Sequence, residues 1–429
     1  METTQHSFGK RWPGLVFKVV ALPLFVFISQ AIAQPVAHVI HISVDGLRPD
    51  AITALGPSNL PNFYRLRTQG AFTDNARSDY DYTVTLPNHI TQLTGRGVVG
   101  ATGHNWTDNS DPGEGETLAS NKGSYIAGAF DVVHDHGLST GEYASKSKFS
   151  LFATSWNAVN GALDIIGPDN GRNKIDVYVS DSNTANLVST LIDDQSSEPM
   201  NYSFLHLTNP DTVGHAYGWD ITIGSRYCDT IKTMDDRLGE LFDLIDTDSR
   251  FSDCTAIVLT ADHGGKNTDH SNATLREDYT VPFYVWGPGV MAGTDLYALN
   301  PTNRLNPGTN RPSYSVSVQP IRNGEAANVS LKLLGLGPVP GSTIGTNQDL
   351  ALAIPPPANF HVFFINTNVA LTFNTVSNVL YDVQVNSNLN PGSWSDLTNN
   401  IIGTGGMITN LDTGATVLSN RFYRLRLHF

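Results

Sequence analysis

Three aspartates stand where an apolar run gives way to a polar turn: Asp45 after "HVIHISV", Asp211 after "SFLHLTNP" and Asp262 after "TAIVLTA". If those runs are parallel strands, the carboxylates meet at the edge where open parallel sheets build their sites. Carboxylates brought together repel unless a cation neutralises them. Histidines accompany them. Asp211 and His215 are spaced i,i+4, so both can lie on one face of a helical turn. Asp262 and His263 are adjacent in the loop beyond their strand, and His270 follows seven residues later. Carboxylate and imidazole together favour zinc or a related divalent ion. A hydroxyl is available to work with them. In "TVTLPNHITQLTG", Pro87 suits a first helical position, and Ile90, Leu93 and Thr94 follow at helical spacing. That puts Thr85 just ahead of a helix N-terminus, where free N–H groups and the dipole attract anions. Such a threonine is either a cap that opens a surface helix or a nucleophile, and Thr83 is the rival hydroxyl.

Each feature alone is common in chains that bind no metal, because a strand-end aspartate often caps the following helix. Their joint occurrence is the signal. The other histidines carry less. His38, His41 and His206 fall inside strand-like runs and are expected in the core; His134 and His136 are expected on a solvated helix end.

The runs that must position the site are 38–44, 141–145, 174–180, 201–208, 254–261 and 281–287. Their apolarity is continuous rather than alternating, as in strands covered on both faces. Helical patterns at 60–68, 87–95, 125–136, 182–193 and 225–245 lie between them, with a last helix at 322–337. The alternation predicts an α/β domain with a doubly wound, mostly parallel sheet. Pro355-Pro356-Pro357 reads as a stiff linker. Beyond it, residues 359–429 are rich in Asn, Thr, Ser and Val, in short alternating segments divided by Gly/Asn/Pro turns. That pattern predicts a small antiparallel β-sandwich, to which no chemistry is assigned.

At the other end, Lys10, Arg11 and Lys18 accompany an apolar run from Val19 to Ile28, and Ala31-Ile32-Ala33 gives a small-X-small cleavage pattern. This reads as a signal peptide over residues 1–33, with the run too short to span a bilayer well. The expected organisation is leader 1–33, α/β domain 34–354, linker 355–358 and β module 359–429, in an exported protein, secreted or periplasmic, with no membrane span after cleavage. The formal charge is −14, and the leader contributes +2 of it, so the remainder carries −16. An acidic chain lacks the basic patches that binding a nucleic-acid backbone needs, whereas a small anion held through metal remains compatible. The two cysteines, Cys228 and Cys254, would lie at opposite ends of the helix 225–245, roughly 25 Å apart by helix rise, against the ~7 Å a disulfide tolerates. Two free, buried thiols are expected.

The order "SVDGL", "TLPNH", "NPDTVGHAYG", "TADHGG" and a histidine ahead of "PFYVWGPG" resembles the alkaline phosphatase superfamily. It looks most like the type I phosphodiesterase/nucleotide pyrophosphatase family, over about residues 36–350. The resemblance implies an alkaline-phosphatase-like fold, a metal-dependent phosphoric ester hydrolase and two zinc ions. One ion would be held by Asp45, Thr85, Asp262 and His263, the other by Asp211, His215 and His270. It further implies Thr85 as the nucleophile that attacks phosphorus and is freed by water, and Asn105, in "GHNW", as donor to the phosphoryl oxygen. His270 keeps the family's distance to the "GPG" strand end, which implies a loop deleted relative to longer relatives.

Two departures bear on substrate. Nucleotide-cleaving relatives carry an aromatic residue after the nucleophile, and here it is Leu86; Trp156 in "FATSW" is either a substitute stacking face or a core residue. In "YASKSKF", Lys146 and Lys148 match a Lys-X-Lys or Lys-X-Arg found in phosphonoacetate hydrolases and some phosphomonoesterases of the superfamily; the alternative is two solvated lysines. The expected substrate is therefore a small phosphate ester or a phosphonate, with diester cleavage foremost. A sulfatase is excluded, because "CDTIK" at Cys228 lacks the Pro and Arg of that motif. The non-enzymatic rival is a degenerate carbohydrate-binding or adhesion protein. Its support is the tail, which looks like a module common at the C-termini of secreted bacterial proteins, with a surface or glycan as expected partner.

Overall fold

The structure is a computed structural model that describes residues 36–164, 171–354, 360–366, 368–376, 379–387, 393–413 and 421–428. The leader 1–33 and the prolines 355–357 lie outside the described residues. Eight strands form one sheet: β1 His38–Val44, β2 Ala71–Arg77, β3 Thr140–Ala144, β4 Val177–Ser180, β5 Tyr202–Leu207, β6 Thr255–Thr260, β7 Thr280–Trp286 and β8 Thr294–Asp295. Their spatial order is β4-β3-β5-β1-β6-β7-β2-β8. All neighbours pair in parallel except across β7, which runs antiparallel to both β6 and β2. This is the doubly wound, mostly parallel α/β sheet that the alternation predicts. The central strands are buried throughout, as their unbroken apolar runs require: every residue of β5 and β6, and Val39 to Val44 of β1.

Two groups of helices cover the sheet. Pro61–Gln69 and Thr184–Ser197 pack on the long helix Arg226–Thr247, while Thr85–Thr94 and Ala129–Asp135 pack on Ala326–Leu333. Strand β2 was not expected. Its sequence "AFTDNAR" carries no continuous apolar run, and pairing with β7 is what makes it a strand. The helix after Val84 also starts two residues earlier than expected, at Thr85. Pro87 thus occupies the third helical position. It loses nothing there, because the first four helical N–H groups have no intrahelical acceptor.

Both cysteines are free, but only Cys228 is buried; Cys254 is half-exposed, because it lies in the turn before β6 rather than in the strand.

The tail forms two three-stranded antiparallel sheets. With β9 His361–Ile365, β10 Asn368–Asn374, β11 Leu380–Asn386, β12 Ser395–Ile402, β13 Met407–Asp412 and β14 Phe422–His428, the orders are β13-β10-β9 and β12-β11-β14. Val369, Leu371, Phe373, Val379, Tyr381 and Val383 make a core of its own, and Ile354 packs against this core and the main one. Separate cores predict separable folding. A chain ending at Ile354 should therefore fold and keep its turnover on a small soluble ester. Loss of turnover in a truncated protein that is folded and metal-replete would show that the β module helps build the site.

Candidate metal centre

The carboxyl ends of β1, β3, β5 and β6 converge, and the chemistry-bearing residues lie just beyond them. Asp45 follows β1 and is fully buried. Asp211 opens the helix Asn209–Tyr217, where a carboxylate complements the helix dipole; its N–H donates to Asp45 O at 3.1 Å. Gly46 makes that approach possible. It has a φ of +70°, and a Cβ there would come within 3.0–3.1 Å of Asp211 N, Cα and Cβ, so only glycine fits without strain. Its N–H donates to Asp262 Oδ1 at 3.1 Å, which fastens the β1 turn to the β6 turn.

The three histidines share one arrangement. The Nδ1 of His263 faces Gly264 O at 2.8 Å, that of His270 faces Thr83 O at 2.6 Å, and that of His215 faces Thr268 O at 3.1 Å. A carbonyl only accepts, so each Nδ1 carries the proton and each Nε2 presents a lone pair. Those Nε2 atoms face the carboxylates. His263 Nε2 is 3.0 Å from Asp262 Oδ2 and 3.5 Å from Asp45 Oδ1. His215 and His270 Nε2 are 3.4 and 3.6 Å from Asp211 Oδ1, and 3.1 Å from each other. The His263 and His270 rings stack at 3.6 Å, and Trp219 lies edge-on to His215 and His270.

Lone pairs turned on carboxylates and on one another call for a positive charge between them. Asp45 Oδ1, Asp211 Oδ1, Asp262 Oδ2 and His263 Nε2 are all buried without a hydrogen-bond partner, at a cost of about 1–3 kcal/mol each. Outward-facing Nε2 with Nδ1–H fixed on a backbone carbonyl is how proteins hold histidine ligands. Two overlapping groups, Asp45/Asp262/His263 and Asp211/His263/His270, have ligand atoms within 4.8 Å of one another. The residues therefore fit a divalent metal. His215 borders the second group and is half-exposed.

The electrostatics reflect the crowding. Burial alone would raise Asp45, but the Lys146 ammonium, with His206 and His263, holds it well below the usual carboxylate range. Burial and the neighbouring Asp45 push Asp262 up to about 6. His263 rises to about 9 against its burial, because Asp262 and Asp45 face it; with no cation among them its Nε2 holds a second proton, which a metal binding there would displace to expose the lone pair. Burial, with His263 adding to it, lowers His270 to about 3.

Thr85 is buried at the first position of its helix, and among the described residues its hydroxyl makes no hydrogen bond. Thr83 is differently placed: its Oγ1 donates to His270 O at 2.6 Å. Lys146 is no solvated bystander. Its Nζ bridges Asp45 Oδ2 at 2.6 Å and Asp211 Oδ2 at 2.7 Å. Lys148 donates to the carbonyl of Asn109 and, at 3.3 Å, to its Oδ1, which also accepts the Leu86 N–H at 2.8 Å. Asn105 is exposed in a left-handed turn at φ 62°, its N–H donating to Val98 O; among the described residues no hydrogen bond or ion pair joins it to the cluster. Trp156 is core: fully buried, stacked on Phe152, its Nε1 donating to Ile126 O. Leu86 is fully buried too.

One expectation about the histidines needs correcting. His134 is not solvated; it is buried against Asp164, which lies 3.1 Å from its Nδ1. His206 is buried as expected, but it is more than packing, since its Nε2 lies 3.0 Å from Asp45 Oδ2. Sequence pattern gives no sign of the roles of Asn109 or of His89, whose Nδ1 faces Thr85 O at 2.8 Å. No helix among the described residues is long and apolar enough to cross a membrane.

A profile of the family described as "Type I phosphodiesterase / nucleotide pyrophosphatase" matches residues 39–312. Among curated proteins, the chain is similar to GPI ethanolamine phosphate transferase 1 of Yarrowia lipolytica, 32% identical over 99 residues, 23% of this chain and 10% of that protein. The same protein of Emericella nidulans is 36% identical over 93 residues, 22% and 10% of the two chains, and that of Aspergillus fumigatus 28% over 172 residues, 38% and 16%. The chain thus spans about a tenth to a sixth of the length of these relatives. Among solved structures it is similar to murine ectonucleotide pyrophosphatase / phosphodiesterase 5, at 15% identity and a TM-score of 0.48 over 74% of this chain and all of that one. An inactive variant of that protein in complex with AMP gives 14%, 0.47, 71% and 96%.

Proposed function

The chain belongs to the type I phosphodiesterase / nucleotide pyrophosphatase family, whose members are metal-dependent phosphoric ester hydrolases, and on that premise we propose that it is an exported two-zinc phosphodiesterase with Thr85 as nucleophile. The observation that carries the reading is the shared orientation of His263, His270 and His215, whose Nδ1 atoms are spent on backbone carbonyls while Nε2 faces unpartnered carboxylate oxygens. Asp45, Asp262, His263 and the Thr85 oxygen would hold one ion, and Asp211, His215 and His270 the other. When bound, such ions supply Lewis acidity to the phosphoryl oxygens and to the attacking and departing oxygens.

Thr85 Oγ gives up its proton to solvent as it forms a bond to phosphorus, and the ester P–O bond opposite it breaks, its electron pair leaving on the alcohol oxygen, which takes up a proton; the phosphoryl group stays on Thr85. Water then loses a proton and bonds to that phosphorus, the bond from phosphorus to Thr85 Oγ breaks, and Oγ takes a proton back as the phosphate product leaves. The helix N-terminus at Thr85 favours the developing negative charge. The Leu86 N–H, now on Asn109 Oδ1, and the Asn105 amide would serve an equatorial oxygen. His89 steadies Thr85 through its carbonyl. Zinc content tests the enzymatic reading against a degenerate binding protein: near two ions per chain is expected, and none would sink it.

A second reading, hydrolysis of a phosphate monoester or a phosphonate, is favoured by Lys146 and Lys148. A monoester keeps two negative charges on its phosphoryl group and a diester one, so an added ammonium matters more for the dianion. Lysine supplies that as a point charge. Lys146→Ala and Lys148→Ala should each depress monoester hydrolysis about 10- to 1,000-fold, the scale of losing one charge-stabilising donor, and diester hydrolysis much less. Side-by-side rates on a monoester and a diester of the same nitrophenol check this. Equal, small effects on both would mean that the lysines organise Asp45, Asp211 and Asn109 without reading substrate charge.

A further inference from the structure

His206 lies beneath the metal cluster, and the chemistry described so far makes no use of it. It is fully buried on β5, in register with Ser43 of β1 and Ala144 of β3. Phe149 packs on its ring at 4.2 Å, and His89 meets it edge-on at 4.8 Å, so the imidazole has one place to be. Its protonation pattern follows from Ser145. The Ser145 N–H points to His206 Nδ1 at 3.3 Å, and Ser145 Oγ lies 2.9 Å from Nδ1 and 2.9 Å from the His206 carbonyl. An N–H can only donate, so Nδ1 is the accepting nitrogen and Nε2 carries the proton. That proton is directed at Asp45 Oδ2, 3.0 Å away.

The consequence falls on Asp45. Its Oδ2 already receives Lys146 and His206, while its Oδ1 is buried, has no partner and lies 3.5 Å from His263 Nε2. One carboxylate oxygen is thus tied down, and the other is turned into the cluster. We propose that His206, held by Ser145, is a positioning residue that fixes which oxygen of Asp45 faces the metal and thereby sets the affinity of that site. The inference rests on the reading of Asp45 as a metal ligand. It differs from that reading in locating part of the affinity in a strand residue that touches no metal. Partners that orient a ligand in this way typically govern about 10- to 100-fold in metal affinity.

The test compares two amides that differ in reach. The side-chain nitrogen of glutamine falls near the place of a histidine Nε2, and that of asparagine near Nδ1. His206→Gln can therefore still donate to Asp45, while His206→Asn cannot. Each full-length protein is stripped of metal and titrated with Zn2+ against a chromophoric chelator. The wild type and His206→Gln should agree to within about threefold, and His206→Asn should bind one ion about 10- to 100-fold more weakly. Equal affinities in the two variants would overturn the positioning role, since a merely structural histidine would move the melting temperature of both and the Zn2+ affinity of neither relative to the other. Wild-type protein that binds no Zn2+ would overturn the metal reading itself. Should neither His206 variant fold, Ser145→Ala, which removes the hydroxyl and keeps the N–H, should weaken the same site by about tenfold, the lower end for a partner that orients a ligand; a change within about threefold would equally sink the proposal.

Discussion

Thr85→Ala should leave a folded protein that turns over essentially no phosphate ester, a loss on the order of 10⁴-fold or more, as when a covalent nucleophile is removed. Folding should survive because the side chain contributes little: alanine keeps the backbone of the first helical turn, the carbonyl that faces His89 Nδ1, and a good helix former at an N-terminal position. Thr85→Ser should retain measurable activity, since the hydroxyl remains and only the methyl that stiffens χ1 is lost. The rival hydroxyl distinguishes itself in the same assay. Thr83 Oγ1 is spent on the His270 carbonyl, and the Thr83 carbonyl receives His270 Nδ1, so Thr83→Ala should disturb His270 and retain far more turnover than Thr85→Ala. An inactive Thr83→Ala beside an active Thr85→Ala would transfer the nucleophile to Thr83.

What the sequence makes legible here is what lies close together along it. Asp45 and Asp262 each end an unbroken apolar run, and Asp211 with His215 falls on one helical turn, so strand edge and ligand can be read locally. The sequence points to Pro87 as the helix start, two residues after the observed Thr85, because proline suits a first helical position although the third tolerates it too. Residues that act through register are not legible in that way. Nothing near His206 says that it will face Asp45; that depends on β5 pairing with β1 so that Ser43 meets His206, across more than 160 positions of chain. Lys146 reads equally well as a surface lysine until β3 is set beside β5. His134 looks solvated because its partner Asp164 lies thirty residues on, beyond the reach of any helical pattern. Strand β2 fails to declare itself because its stability comes from β7 rather than from its own apolar content.

Removing the metal should abolish turnover reversibly, and His270→Ala should show which half of the site matters. His270 is the only histidine between His263 and the linker, so no neighbouring imidazole of that stretch can replace it. Its Nδ1 is fixed on Thr83, its ring stacks on His263, and its Nε2 approaches Asp211 and His215. Alanine there leaves Asp211 with the half-exposed His215, 3.4 Å from its Oδ1, and with His263, which the first ion also claims. Zinc content should fall from two ions per chain towards one, and activity by on the order of 10³-fold, the equivalent of several kcal/mol of transition-state stabilisation. Treatment of the wild type with a chelator should give the same loss, and added Zn2+ should restore it. The restored protein should also melt at a higher temperature than the stripped one, because an ion that binds only the folded state stabilises it by mass action, here by giving the buried, unpartnered oxygens of Asp45, Asp211 and Asp262 a counter-charge. His270→Ala serves as the control: its melting temperature should rise less with Zn2+ than that of the wild type, since one site remains to be filled. Unchanged zinc content in His270→Ala would remove His270 from the ligand set, and a wild type that keeps full activity without metal would refute metal dependence of the reaction.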